Sequence, residues 1–289
     1  MDKESASGVS AKLNWFLKAV KGAFAFTFSF AVCAASQAQL TTVAYDGFNY
    51  SAGSLAGQNG GTGWTGSWIN DYTSGSSFQV SLTGMSYSGL STSGGSVVWG
   101  SGGNGISEDS RSLPLMNSGV VFLRFLGKFG SSSGGGTPNI RLLNSGAVTG
   151  GLGGNGGTYG AVMSILGASL DPVSDGSSSS SANLSDLNLV IARIDYQNNA
   201  TTMWVNPNLS TFDYLNPPAA NATYAGLAPA FDSIAIFSRS PGNVDEIAVM
   251  TVPEPTSAAL MTTGAGVMLW YGWRRRVSNR RQCRAVSSV

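Results

Sequence analysis

The 289-residue chain contains no histidine. That removes Ser-His-Asp and Cys-His catalytic sets and imidazole metal sites together, because each needs a ring that shuttles protons near neutrality or donates a lone pair. Carboxylates are left for acid–base work. Two adjacent acidic pairs stand out, Glu108-Asp109 and Asp245-Glu246. Neighbours on a strand point to opposite faces, so neither pair makes an acid/base couple unaided. Glu108-Asp109 also follows a Gly/Ser/Asn-rich loop and reads as solvated. Aromatic residues are the better lead. Trp64, Trp68, Tyr72 and Trp99 offer flat apolar faces with polar edges, the combination that stacks on sugar rings. Trp64 and Trp68 could instead plug the end of the sandwich. Trp204, with the same chemistry, sits mid-strand, where a buried indole is the commoner fate.

Glycine spacing suggests a nucleotide site and does not sustain it. Gly61-x-Gly63-x-x-Gly66 and Gly151-x-Gly153-x-x-Gly156 fit a dinucleotide fingerprint. Neither lies between a strand and a helix, and 39 glycines make chance matches frequent. They read as turn and loop glycines.

The elements that must position these residues are strands. Val121, Leu123, Phe125 and Phe129 alternate with Phe122, Arg124, Leu126 and Lys128, the period of a strand with one buried face. Leu187 to Tyr196 places Leu189 and Ile191 with Arg193 and Asp195 on one face, and Val190, Ala192 and Ile194 on the other. Gln197-Asn198-Asn199 then turns the chain into a returning partner, Thr201 to Val205. Ile234 and Ile236, and later Ile247 and Val249, repeat the alternation. Gly150–Gly157 and Ser177–Ser181 read as low-complexity loops. No amphipathic helix interrupts the series, so the body is expected to be one all-β, two-sheet sandwich.

Charge divides the chain into three parts. Four lysines lie in the first 21 residues and six arginines in the last 16. Residues 39–252 carry six basic and twelve acidic residues, a net of −6, which argues against nucleic acid as a partner. Both cysteines, Cys33 and Cys283, lie in the end segments, so no disulfide staples the body.

Lys12, Lys18 and Lys21, the apolar run Gly22–Ala35 and the small residues Ser36 and Ala38 compose a signal peptide cleaved between Ala38 and Gln39. A retained signal anchor is the competing reading, disfavoured by the shortness of the apolar run. At the other end, Pro253-Glu254-Pro255 precedes seventeen uncharged residues, Ser257–Trp273, and then Arg274, Arg275 and Arg276. The stretch is at the short end of what spans a bilayer, and the arginines orient it with the body outside. The motif, helix and arginine cluster together resemble the PEP-CTERM sorting signal of Gram-negative-type bacteria. That resemblance implies signal peptidase and exosortase as partners, transient membrane anchoring, and delivery to the cell surface or extracellular matrix. The organisation is then 1–38 signal peptide with an N-terminal extension, 39–251 ectodomain, 252–284 sorting signal and 285–289 C-terminal end.

A second resemblance covers the ectodomain. Tyr45-Asp46-Gly47-Phe48-Asn49-Tyr50, followed by Gly57–Trp64 and Trp68, looks like the opening of PEP-CTERM ectodomains with a concanavalin A-like, LamG-type jelly roll. Leu189–Asp195 with Met203–Pro207 resembles the late hairpin of that group, and Val244–Val249 its closing strand, which in that fold pairs with the first. The resemblance implies a fold used for binding carbohydrate or protein and for glycanases. It also makes Ca²⁺ on oxygen ligands a weak expectation, with Asp46 and Asp245 as the candidates; no Asp-x-Asp-x-Asp-Gly loop is present. The Glu-x-Asp-x-x-Glu pattern of glucanases with this fold is missing. The expectation is therefore a non-catalytic protein without a cofactor, binding an exopolysaccharide or packing as a structural component. A glycan-active enzyme of the same fold is one alternative, and a structural adhesin or ice-surface binder another.

Overall fold

The computed structural model describes residues 39–74, 77–100, 106–130, 139–154, 162–168, 177–238 and 240–252. Ala38, Pro253-Glu254-Pro255, the apolar stretch and Arg274–Arg276 lie outside the described residues. The fold is that of the unit Leu40–Pro253. Among the described residues there is no helix, and so none that could cross a membrane.

Among the described residues, sixteen strands form two antiparallel sheets. In chain order they are β1 (Thr41–Asp46), β2 (Gly53–Ser54), β3 (Ile69–Thr73), β4 (Gln79–Ser81), β5 (Ser96–Trp99), β6 (Ser107–Met116), β7 (Val120–Phe129) and β8 (Asn139–Asn144). The series continues with β9 (Ala147–Gly154), β10 (Val162–Leu166), β11 (Ser177–Asn183), β12 (Asn188–Asp195), β13 (Ala200–Val205), β14 (Ala222–Ala225), β15 (Phe231–Ser238) and β16 (Gly242–Val252). The large sheet runs β14-β13-β12-β7-β16-β5-β4-β2, with β1 also on β16; the small sheet runs β11-β10-β9-β8-β15-β6-β3. As the resemblance implies, the last strand pairs with the first, Thr41 opposite Thr251 and Asp46 opposite Ile247.

The main core lies between the sheets. Alternation places Val121, Leu123 and Phe125 of β7, and Val190, Ala192 and Ile194 of β12, against Ile140, Leu152, Ile234 and Ile236 of the small sheet. One expectation needs correcting here. β7 is buried on both faces, because Phe122 and Leu126 join Leu189, Ile191, Trp204, Ala248 and Met250 in a second cluster on the outside of the large sheet. Met85, Tyr87 and Leu90 from one segment, and Leu209, Phe212 and Tyr214 from another, cover that cluster. A strand covered on both faces loses the polar alternation of a half-exposed one.

Two stretches expected as loops are strands. Gly150–Gly154 belongs to β9 and Ser177–Ser181 to β11. Their small residues carry no apolar signal, but the backbone ladder to β8 and β10 supplies the pairing. At Gly150 a side chain would press on Pro229, 3.1 Å from an ideal Cβ.

The closing strand holds the most consequential irregularity. Val244, Ile247 and Val249 all face the inter-sheet core, which a regular period of two forbids. A bulge at Asp245-Glu246 resolves the conflict: the register with β7 shifts between Asp245 and Ala248, and Glu246 takes a left-handed φ of 56°. The same bulge marks where β16 exchanges one edge neighbour for another. Gly242–Val244 pair with β5, whereas Ile247 onward pair with β1.

Candidate functional site

The strand exchange leaves a gap at the edge of β16, and buried charge fills it. Asp46, at the end of β1, accepts hydrogen bonds from Phe48 N at 2.9 Å, Tyr50 Oη at 2.5 Å and Trp68 Nε1 at 2.9 Å. Arg111 of β6 reaches across from the other sheet and pairs with it at 2.6 Å; the two side chains are 1% and 0% exposed. The remaining Arg111 donors bond Gly66 O, Asn59 Oδ1 and Gly60 O. Glu246 accepts from Ser93 N and Tyr45 Oη, and Asp245 from Met85 N and Glu246 N. Burial pushes the Asp245 carboxyl up to about 7 and the Tyr45 phenol up to about 12. Gly47 has to be glycine here, since a Cβ would lie 2.6 Å from Tyr45 Oη and 2.8 Å from Ser93 O.

The Tyr45–Tyr50 motif therefore closes the end of the sandwich. Calcium does not fit there. Asp46 and Asp245 already accept protein donors, and a guanidinium stands where a cation would neutralise Asp46. Among the described residues no three His, Cys, Asp or Glu gather as a metal site. At Asp245-Glu246 the bulge interrupts the regular alternation, and both carboxylates are buried.

Four aromatic candidates divide into two kinds. Trp68, 1% exposed, lies in the core with its indole N–H on Asp46. Trp99, 6% exposed, packs edge-on against Phe78 and donates to Ser238 and Ser240. Neither has a face free for a sugar. Trp64 is partly buried, with its N–H on Tyr45 O and the Arg111 guanidinium 5.2 Å from its ring. Tyr72, 53% exposed, is the open one.

Tyr72 belongs to β3, the edge strand of the small sheet, on which all five residues are exposed. It stands opposite Glu108, and Glu108 stands opposite Phe237 on β15. Arg141 pairs with Glu108 and sits over the Phe237 ring, its guanidinium carbon 3.3 Å from the ring centre. On the other face of β6, Asp109 is buried and accepts from Asn70 Nδ2 at 2.7 Å. Burial pushes Asp109 up to about 6, against the Asn70 hydrogen bond and with help from the charge of Asp71. Glu108 is also raised by burial, against the pull of Arg141. The pair is thus embedded rather than solvated, a second correction; its two members do face opposite ways.

The outer face of the large sheet holds residues that composition alone did not mark. A chain of edge-to-face rings runs Trp204–Phe212–Tyr214–Phe122, with centroids 5.4, 4.9 and 5.1 Å apart. Arg124 lies beside it, two residues from Phe122 on the same face of β7 and opposite Ile191 of β12, which in turn stands opposite Trp204. The available signal was an arginine in the middle of the apolar run Val121–Leu126.

No protein-family profile matches the chain, and no curated protein sequence matches it. Solved structures similar to it include the VIP36 exoplasmic/lumenal domain. The Ca²⁺/Man2-bound form is 10% identical over 63% of this chain and 84% of that one, with a TM-score of 0.38. The metal-free form is 11% identical over 62% and 85%, with a TM-score of 0.37. SCLam, a non-specific endo-β-1,3(4)-glucanase from family GH16, is 8% identical over 70% and 97%, with a TM-score of 0.32. Likeness at this level carries no statement about ligand or activity.

Proposed function

We propose that the chain is an exported, non-catalytic β-sandwich protein that binds polysaccharide at the cell surface or in an exopolysaccharide matrix. The observation that carries the binding is the open ring of Tyr72, set on an edge strand beside the planar polar groups of Glu108 and Arg141. An exposed aromatic face with fixed hydrogen-bonding groups around it suits a pyranose ring, whose C–H face is apolar and whose rim is hydroxylated. Delivery rests on the sequence: signal peptidase cuts between Ala38 and Gln39, the apolar stretch anchors the protein in the membrane, and exosortase acts near Pro253-Glu254-Pro255. Calcium at Asp46 or Asp245 has no part in this reading.

A glycan array probed with the full-length protein tests it. Binding that falls about tenfold or more in Tyr72→Ala, and that EGTA leaves unchanged, is the expected result. Folded protein that binds no glycan would overturn it in favour of structural packing.

A second reading, a glycan-active enzyme, draws on Asp71, whose charge acts on both Glu108 and Asp109. Asp71 with either embedded carboxyl, rather than Glu108 with Asp109, which face opposite ways, is the couple that acid/base hydrolysis would use. Release of reducing ends from polysaccharide, abolished in Asp109→Asn, would select this reading over the first.

A further inference from the structure

β4 and β5 are adjacent antiparallel strands, and Ser81 stands opposite Ser96, yet the chain takes residues 82–95 to pass from one to the other. No strand forms within that excursion. Its neck is closed where the Ser96 hydroxyl donates to Thr83 O at 2.7 Å. Gly84 passes Gly94 there so closely that a Cβ on it would lie 2.9 Å from Gly94 O. Beyond the neck, Met85, Tyr87 and Leu90 lie on the apolar cluster outside the large sheet. The bulge of β16 anchors this strap. Asp245 accepts from Met85 N at 2.7 Å, and Glu246 accepts from Ser93 N at 2.6 Å and from Tyr45 Oη at 2.7 Å. Further out, Tyr87 Oη reaches Pro207 O only at 3.4 Å.

The anchors carry an excess of negative charge. Asp46, Asp245 and Glu246 are all buried, and the Arg111 guanidinium is taken by Asp46. None of the ion pairs among the described residues includes Asp245 or Glu246. On β7, Leu126 stands opposite Asp245, with Lys128 opposite Asn243 and Arg124 opposite Ala248. β1 adds Tyr45 and Asp46, and the strap itself adds Tyr87. The other covering segment adds Tyr214 and Asp213, which accepts Leu215 N within its own turn. Gly84 lies directly on the acid: its Cβ would be 3.3 Å from Asp245 Oδ2. The strap is therefore the lid of the carboxyl that anchors it, and lifting it admits water to Asp245.

We propose that residues 82–95 are a proton-controlled strap, closed over the outer face of the large sheet while Asp245 is protonated and released as Asp245 ionises, uncovering the apolar cluster around Phe122, Leu126 and Trp204. Burial raises the Asp245 carboxyl to about 7, against the Met85 and Glu246 amides and with help from the charges of Glu246 and Asp46. A hydrated aspartate titrates near about 4. The closed strap thus holds the proton more tightly than the open one. Closure is strongest below about pH 4 and weakens by up to about tenfold per pH unit until about pH 7.

Hydrogen exchange of the full-length protein tests this, with amide protection corrected for the intrinsic exchange rate at each pH. Protection of the Met85 and Ser93 amides is expected to fall about tenfold or more from about pH 5 to about pH 8, and to stay well below that of Ile191 on β12. Asp245→Asn is neutral throughout and still able to accept Met85 N. It keeps the low-pH protection of the strap and loses the pH dependence. Asp213→Asn, which removes a charge from the other covering segment, keeps the dependence. Retention of the full dependence in Asp245→Asn would overturn the proposal. The wild-type protein can refute it alone, even if that variant does not fold. Strap protection that is flat or rises with pH would do so, and so would protection equal to that of Ile191, which would mean that the strap opens only when the whole domain unfolds.

Discussion

Arg111 and Arg124 sit on facing elements of one sandwich and are treated in opposite ways. Arg111 is fully buried, with every donor group engaged by Asp46, Tyr50, Asn59 and two backbone carbonyls. Arg124 is only half-buried, yet its Nε has no acceptor. A satisfied buried charge is architecture: it ties the end of β1 to the opposite sheet and fixes one arrangement of the strand exchange. An Nε–H left without an acceptor is a stabilising contact forgone.

The largest test of this contrast is Arg111→Met. It leaves Asp46 buried without its counter-ion and is expected to cost about 3–5 kcal/mol, read from urea unfolding. The double variant with Asp46→Asn recovers part of the loss; no recovery would mean that Arg111 acts by packing alone. Asp109 is an intermediate case, buried with a neutral amide as its side-chain partner. Its folded pKa of about 6 lies above the ordinary carboxylate value near 4, so folding favours the protonated form. The stabilisation is complete below about pH 4 and is lost as pH rises through about 6, with an expected span of up to roughly 3 kcal/mol. Thermal melts of Asp109→Asn should lack that slope; an unchanged slope would assign it elsewhere. The smallest effect is expected at Arg124. Arg124→Met removes the orphaned donor and should leave stability within about 0.5 kcal/mol or raise it by up to about 1 kcal/mol. A loss comparable with that of Arg111→Met would erase the contrast.

Much of the frame is legible in the residues. The β12–β13 hairpin follows from alternation on both sides of Gln197-Asn198-Asn199, and Arg193 opposite Thr202 is the register that turn sets. The pairing of β1 with β16 follows the resemblance of the terminal segments. What was hidden shares one cause, the dependence of each side chain on distant covering segments. Phe122 and Leu126 look solvent-facing until Phe212 and Tyr214 fold over them. Trp68 and Trp99 present as open rings until Asp46 and Ser238 are brought to their N–H groups. The bulge at Asp245-Glu246 is invisible locally, since it exists to reconcile Val244 with Ile247 in a core formed by the opposite sheet. The serine and glycine of β9 and β11 carry no strand pattern because those strands contribute chiefly their backbones.

The position of β16 has a mechanical consequence. It is flanked by β7 along its length, and on its other edge first by β5 and then by β1. Tension transmitted through residue 252, with the far end held by something gripping a sheet face, loads these ladders lengthwise, so their hydrogen bonds must fail together. Tension applied between the two ends of the domain acts differently. Thr41 lies opposite Thr251, and such a pull would peel β1 away one rung at a time. The same hydrogen bonds thus make a strong tether in one direction of pull and a weak one in the other.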